Sequence, residues 1–473
     1  MPSLLILLPL IGVIILNLPL GNIMRRSAFV FAFGLFLIQI ALAMFHYPGL
    51  WASRLHAVDT FFKVTFAVDH LSFIVLLSIG IVSLTSLIVG RQTIKDESER
   101  FNFINLLIII SIGMCGIVMV RDIFSLYVFL EVAAVSAFIL IALERERRAL
   151  EGAFKYILMS AVATVMMLSS VALIIMVAGD TSFAAVRQAL FISRGSFIVK
   201  FAVGLFMCGL FIKGGLVPFH GWLPDVYSKA PSAVSVLLAG IVTKVSGIYT
   251  LIRLITSVFG FTENIKAVLI LVGIISILFG AFAALTQNNF KRMLAYSSIS
   301  QVGYILAGLG TGTPLGIVGA VFHFFNHAVF KSLLFVNSAA VEKKTGTVDM
   351  DELGGLSEKM PVTGATSLVG FLSTSGIPPL AGFWSKLVII MALWLSGYRA
   401  YAVIAVMASV LTLAYLLMMQ RKVFFGKLAP GLEDTKEVSP GFAAVAIALA
   451  LITVGVGVFF PVIFNVYFTQ FIR

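Results

Sequence analysis

The sequence is cut into apolar runs of about twenty residues joined by short polar connections, and a run such as Leu106 to Val120 is apolar on every side. Membrane-crossing strands would instead alternate over about ten residues, so the pattern predicts an all-α polytopic membrane protein. A hydrocarbon core of roughly 30 Å needs about 20 residues per helix, and 473 residues hold about fourteen such helices. With 60% hydrophobic and only 11% charged residues, the chain falls outside the range of soluble domains.

Windows bounded by charges and turn residues place the spans at 3–18, 28–46, 70–90, 103–120, 122–142, 153–178, 197–227, 231–255, 265–286, 292–310, 314–340, 361–397, 400–420 and 440–467. The first run follows Met-Pro-Ser without a basic segment, which reads as a span and not as a cleaved signal. Alternate loops, those with Arg25, Arg145, Lys291, Lys343 and Arg421, carry roughly twice as many Lys and Arg as the other set, which includes Arg473. Basic loops stay on the cytoplasmic side, so both termini are expected outside. The net charge of +12 therefore reflects topology. No basic groove with interleaved aromatics occurs, which argues against nucleic acid. Cys115 and Cys208 lie far apart in apolar runs and match no haem, iron–sulfur or metal-ligand spacing, so no cofactor is expected in this chain.

Two long spans are interrupted, one by Lys213-Gly214-Gly215-Leu216-Val217-Pro218 and the other by Ser375-Gly376-Ile377-Pro378-Pro379-Leu380-Ala381-Gly382. Unwound backbone facing lipid leaves its polar groups unpaired, so such breaks survive only inside protein or beside water. The breaks lie five spans apart and so run in opposite directions, the signature of inverted repeats. The expected organisation is 1–102 (spans 1–3), 103–255 (repeat one), 256–424 (repeat two) and 425–473 (span 14 and C-terminus). Two unrelated proline kinks are the plainer alternative.

Ionisable residues also fall at membrane depth: Glu131, Lys213, Lys244, His323, His327, Lys331 and Lys386. Each central charge costs roughly 2.5–3.5 kcal/mol on insertion scales, so each needs a partner or water. Desolvation favours the neutral amine of a lysine and a nearby carboxylate favours its ammonium, so a movable partner switches proton loading. Glu131 is the expected partner of Lys213. His323, His327 and Lys331 recur every fourth residue and share a helical face suited to carrying protons. Either histidine serves equally well as a hydrogen-bond donor between helices, and Lys331 as a snorkelling lysine. Arg253 and Lys155, near helix ends, read as anchors. The histidine pair lacks a third ligand, so no metal is expected.

The run from Lys213 through Pro218-Phe219-His220-Gly221-Trp222-Leu223-Pro224-Asp225, with Ala230-Pro231-Ser232, resembles the signature of the proton-conducting antiporter-like membrane subunits. Asp122 to Glu131, Asn289 to Ser298, Asn326 to Lys331 and Leu380 to Lys386 extend the likeness over most of the chain. That family includes the antiporter-like subunits of complex I, equivalents in membrane-bound [NiFe] hydrogenases and formate hydrogenlyase, and subunits of the Mrp-type multi-subunit Na⁺/H⁺ antiporter. The resemblance implies proton, or Na⁺, translocation by a non-redox subunit within such an assembly in a prokaryotic plasma membrane. It assigns Glu131, Lys213, Lys244 and Lys386 to two half-channels joined by a hydrated axis. One complex I member has Glu where Lys386 stands, and this chain lacks the lateral helix of the distal one, so a hydrogenase- or Mrp-type assembly is favoured. A stand-alone solute transporter and a purely structural anchor for a redox arm are the competing readings.

Overall fold

A computed structural model describes residues 2–18, 22–45, 57–61 and 64–468; Arg473, counted in the orientation argument, lies outside them. In chain order the elements are α1 (Leu4–Leu16), α2 (Asn22–Phe45), β1 (Ala57–Phe61), β2 (Val64–Val68), α3 (His70–Thr93), α4 (Glu97–Met119), α5 (Ile123–Ile141), α6 (Arg147–Ala178), α7 (Phe183–Ile192) and α8 (Phe197–Gly214). They continue with α9 (Trp222–Lys229), α10 (Ser232–Phe259), α11 (Glu263–Leu285), α12 (Phe290–Gly310), α13 (Pro314–Thr345), α14 (Pro361–Ser375), α15 (Ala381–Leu395), α16 (Arg399–Val423) and α17 (Pro440–Val458). Among the described residues eleven helices are long and apolar enough to cross a membrane. α1 and α15 are apolar but shorter, and α12 is diluted by Ser297, Ser298, Ser300 and Gln301.

Helix starts follow from side chains that accept from the otherwise orphaned first N–H groups. Asp69 accepts from Ser72 N at 2.8 Å, Asp96 from Glu99 N at 2.8 Å and Asp122 from Ser125 N at 2.6 Å. Chain contacts divide the protein into two compact units, Met1–Gly215 with Lys229–Phe261, and Leu216–Ser228 with Thr262–Arg473.

In the first unit β1 and β2 form an antiparallel hairpin with Ala57 opposite Val68, an element absent from the span pattern. Alternating five-residue strands disappear in a window twenty residues wide. Phe66 of the hairpin is buried and meets Phe129 edge-on, with ring centres 6.2 Å apart, and Arg121 N donates to Thr65 O at 3.1 Å. Beside it Arg253, expected as an anchor near a helix end, is buried instead. Its guanidinium donates twice to the Asp69 carboxylate, at 2.6 and 2.7 Å, and through Nε to Tyr249 OH at 2.9 Å. Burial alone would raise the pKa of Asp69, which lies just outside α3, but Arg253 and Arg121 outweigh it and hold the carboxyl well below the usual range.

In the second unit α11 and α12 run together through glycines spaced seven apart. A Cβ on Gly273 would stand 2.8 Å from Ala307 N, and one on Gly280 2.5 Å from Ser300 N. On the facing helix a Cβ on Gly303 would stand 2.6 Å from Gly273 O, and one on Gly310 2.7 Å from an Ile270 side-chain carbon. Lipid tails are as apolar as leucine, so backbone proximity of this kind does more for association between membrane helices than burial of apolar area does. Ile274, Ile277, Tyr304, Ile389 and Ala405 complete a core where α11, α12, α15 and α16 meet.

Candidate cation relay

In the first unit α8 stops where Gly215 turns left-handed, at φ 65°, one residue beyond Gly214. Glycine has no Cβ to oppose that turn. The break leaves Lys213 in the last turn with its side chain 3% exposed. Its Nζ donates to Glu131 Oε1 on α5 at 3.2 Å and to Ser160 Oγ on α6 at 3.0 Å. Thr164, one turn beyond Ser160, donates to the same Glu131 oxygen at 2.7 Å. Glu131 keeps 28% of its side chain exposed, so a deeply buried ammonium is matched with a carboxylate that still reaches the unit's surface.

Lys244 is 1% exposed and lies in a π-type stretch of α10, a wide-turn geometry frequent at functional sites. Its Nζ donates to Gly240 O at 2.9 Å and also to Ala239 O. Nearby, a Cβ on Gly247 would stand 2.4 Å from Gly214 Cα, so the Lys244 segment lies directly against the end of α8.

In the second unit α13 carries His323, His327 and Lys331, all fully buried. The imidazole planes are within 15° of parallel with centres 6.1 Å apart, and His323 Nδ1 shares a 2.8 Å hydrogen bond with Ser385 Oγ. Lys331 does not snorkel: it donates to Ser297 Oγ at 2.6 Å and Leu294 O at 3.2 Å, and Ser297 Oγ shares a 2.8 Å bond with Tyr415 OH. At the second break α14 ends where Gly376 turns left-handed, at φ 85°. Lys386, beyond the break on α15, donates to Thr374 O at 2.8 Å and stands 4.8 Å from the centre of the Tyr304 ring. Asn326 braces the start of α15 by donating to Ala381 O at 2.9 Å.

The predicted residues thus form two sets, Glu131, Lys213 and Lys244 in one unit and His323, His327, Lys331 and Lys386 in the other. The hydroxyls that hold them, Ser160, Thr164, Ser297 and Ser385, and the ring of Tyr304, were not singled out from the sequence. The one available signal was polarity recurring a turn apart on an apolar helix, as at Ser160 and Thr164. Among the described residues no three His, Cys, Asp or Glu side chains are grouped to hold a metal ion. Buried amines bonded to hydroxyls, with imidazoles on the same helix as Lys331, are suited to binding and passing protons.

A family model described as NADH:quinone oxidoreductase/Mrp antiporter, TM matches residues 120–412. The D-type Na(+)/H(+) antiporter subunit of Alkalihalophilus pseudofirmus is 32% identical over 399 residues, 83% of this chain and 80% of that protein. The N-type NADH-quinone oxidoreductase subunit of Desulforudis audaxviator is 30% identical over 413 residues, 85% of this chain and 82% of that one. In the solved structure of the Mrp complex from a Dietzia species, a chain 24% identical superposes with a TM-score of 0.91 over 99% of this chain and 97% of that one, a likeness of fold.

Proposed function

We propose, from the premise that the chain belongs to the NADH:quinone oxidoreductase/Mrp antiporter membrane family, that it moves a cation, H⁺ before Na⁺, across a prokaryotic cell membrane. It acts as one membrane subunit of a larger assembly, of Mrp, hydrogenase or complex I type. The chain brings no cofactor of its own, and partner subunits supply the driving energy.

The observation that carries this reading is the ion pair between Lys213 and Glu131, 3.2 Å long, at a helix end opened by Gly215. A lone charge there would not persist, because an uncompensated buried ion costs several kcal/mol. Drawing Glu131 away therefore favours the neutral amine, and the proton leaves. In this reading Lys213 and Lys244 load from the cytoplasm, and His323, His327, Lys331 and Lys386 conduct toward the outside.

The reading extends to fourteen crossings, with α1, α12 and the pair α14 and α15 added to the eleven long apolar helices, and to both termini outside. It also takes 103–255 and 256–424 as inverted repeats. Support comes from the likeness of the two breaks, each with a left-handed glycine two residues before a short proline-containing stretch and each next to a buried lysine. The test is cation flux through the whole complex reconstituted in liposomes. Lys213→Ala and Glu131→Ala should each lose most of the flux, and wild-type flux in both refutes the assignment.

A further inference from the structure

In the second unit, polar groups that the relay does not use continue from Lys331 toward one end of the bundle. Asn337 and Ser338 follow on α13, fully buried, with Ser338 two turns from Lys331 on the same face. Asn337 Oδ1 accepts from Thr366 Oγ1 of α14 at 3.1 Å. The adjacent Ser367 donates to Gln420 Oε1 of α16 at 3.0 Å. One turn nearer the start of α14, Thr363 Oγ1 donates to Glu437 Oε1 at 2.6 Å, and Glu437 is half-buried in the loop ahead of α17. The series thus leads from the middle of α13 to the face carrying Glu437.

Interhelical hydrogen bonds serve as glue in membranes, and Thr366 with Asn337 and Ser367 with Gln420 fit that role. Glue does not account for what is left over. Asn337 Nδ2, Ser338 Oγ and Gln420 Nε2 are buried with no hydrogen-bond partner among the described residues. Buried polar atoms are almost always satisfied, and those that protein does not reach take water. Three such atoms on α13 and α16, in line with hydroxyls that end at a carboxylate on the surface, describe a hydrated lining.

We propose that Asn337, Ser338, Thr366 and Gln420 line a water-filled passage joining Lys331 to the face at Glu437. Through it Lys331 and the second unit's relay exchange protons with that face. The use of the passage rests on the relay reading of Lys331; its existence does not.

The experiment uses the whole complex with Cys115 and Cys208 replaced by alanine and single cysteines at Ser338, Thr366 or Leu333, the last a buried apolar control on the same helix. Glu433→Cys, in the exposed loop, marks the side. Silver ion, about the size of water, is added to sealed vesicles, and protection from later maleimide labelling of the denatured chain reads its reaction. Ser338→Cys and Thr366→Cys should react at least ten-fold faster than Leu333→Cys, and only when silver is on the side at which Glu433→Cys reacts. Reaction no faster than at Leu333→Cys overturns the passage. Asn337→Leu should cut cation flux several-fold at unchanged yield of assembled complex, and full flux overturns its use. If Lys213→Ala keeps full flux while Ser338→Cys reacts rapidly, the relay assignment fails and the passage stands.

Discussion

At the first break Lys213 precedes the left-handed glycine and meets a carboxylate, whereas at the second Lys386 follows it on the next helix and meets a backbone carbonyl and the face of Tyr304. The first lysine is held by side chains alone, the Glu131 carboxylate and the Ser160 hydroxyl. The second is held by main chain and a ring, so its setting depends on how α14 and α15 are seated. In the proposed relay the first site would be switched by displacing a partner, the second tuned by the geometry of its break.

The sharpest way to break this contrast is to remove the switch while keeping the shape. Glu131→Gln leaves the Lys213 ammonium without its counter-charge, a loss of about 3–5 kcal/mol for a buried pair, so flux through the reconstituted complex should fall at least ten-fold. Near-normal flux would make the two lysines equivalent. Next come the seats of the breaks. A Cβ on Gly382 would stand 1.9 Å from Ser373 O, so Gly382→Ala should destabilise the folded chain by about 1–3 kcal/mol, seen as a lower thermal midpoint in detergent. Gly247→Ala, 2.4 Å from Gly214 Cα, should do the same in the first unit, and an unchanged midpoint in either would show that its break is not seated by close backbone contact.

Smaller effects refine the comparison. Tyr304→Leu removes the ring beneath Lys386, worth about 0.5–2 kcal/mol, and should slow flux by a few-fold. Tyr304→Phe keeps the ring face and should slow it less; equal losses would point to the hydroxyl, which donates to Ala405 O at 2.7 Å. Ser160→Ala deletes one of two hydrogen bonds on Lys213, about 0.5–1.5 kcal/mol, and should change flux least.

The long helices and both interruptions are legible in the sequence because membrane burial imposes apolarity over twenty residues at a time, and glycine with proline marks where it fails. The positions of Lys213 and Glu131 are legible for the same reason, since charge at that depth stands out. The structure then sets them 3.2 Å apart. Apart from the Lys213–Glu131 pair, features that rest on contacts far apart in the chain were not legible. Arg253 meets Asp69 across nearly two hundred residues, and nothing local to either announces the other. The wide turns around Lys244 and the hairpin before α3 are too short to move a hydropathy average. Ser297 and Ser385 look like ordinary helix hydroxyls until Lys331 and His323 are placed beside them.

The nearness of Gly247 to Gly214 has a mechanical consequence. With no side chain between them, the opened end of α8 and the wide-turned stretch bearing Lys244 have no slack in which to slide separately. In the relay proposed above, whatever tilts the first lysine away from its carboxylate would also nudge the second, so that loading and handover would be one stroke of a lever and not two independent events.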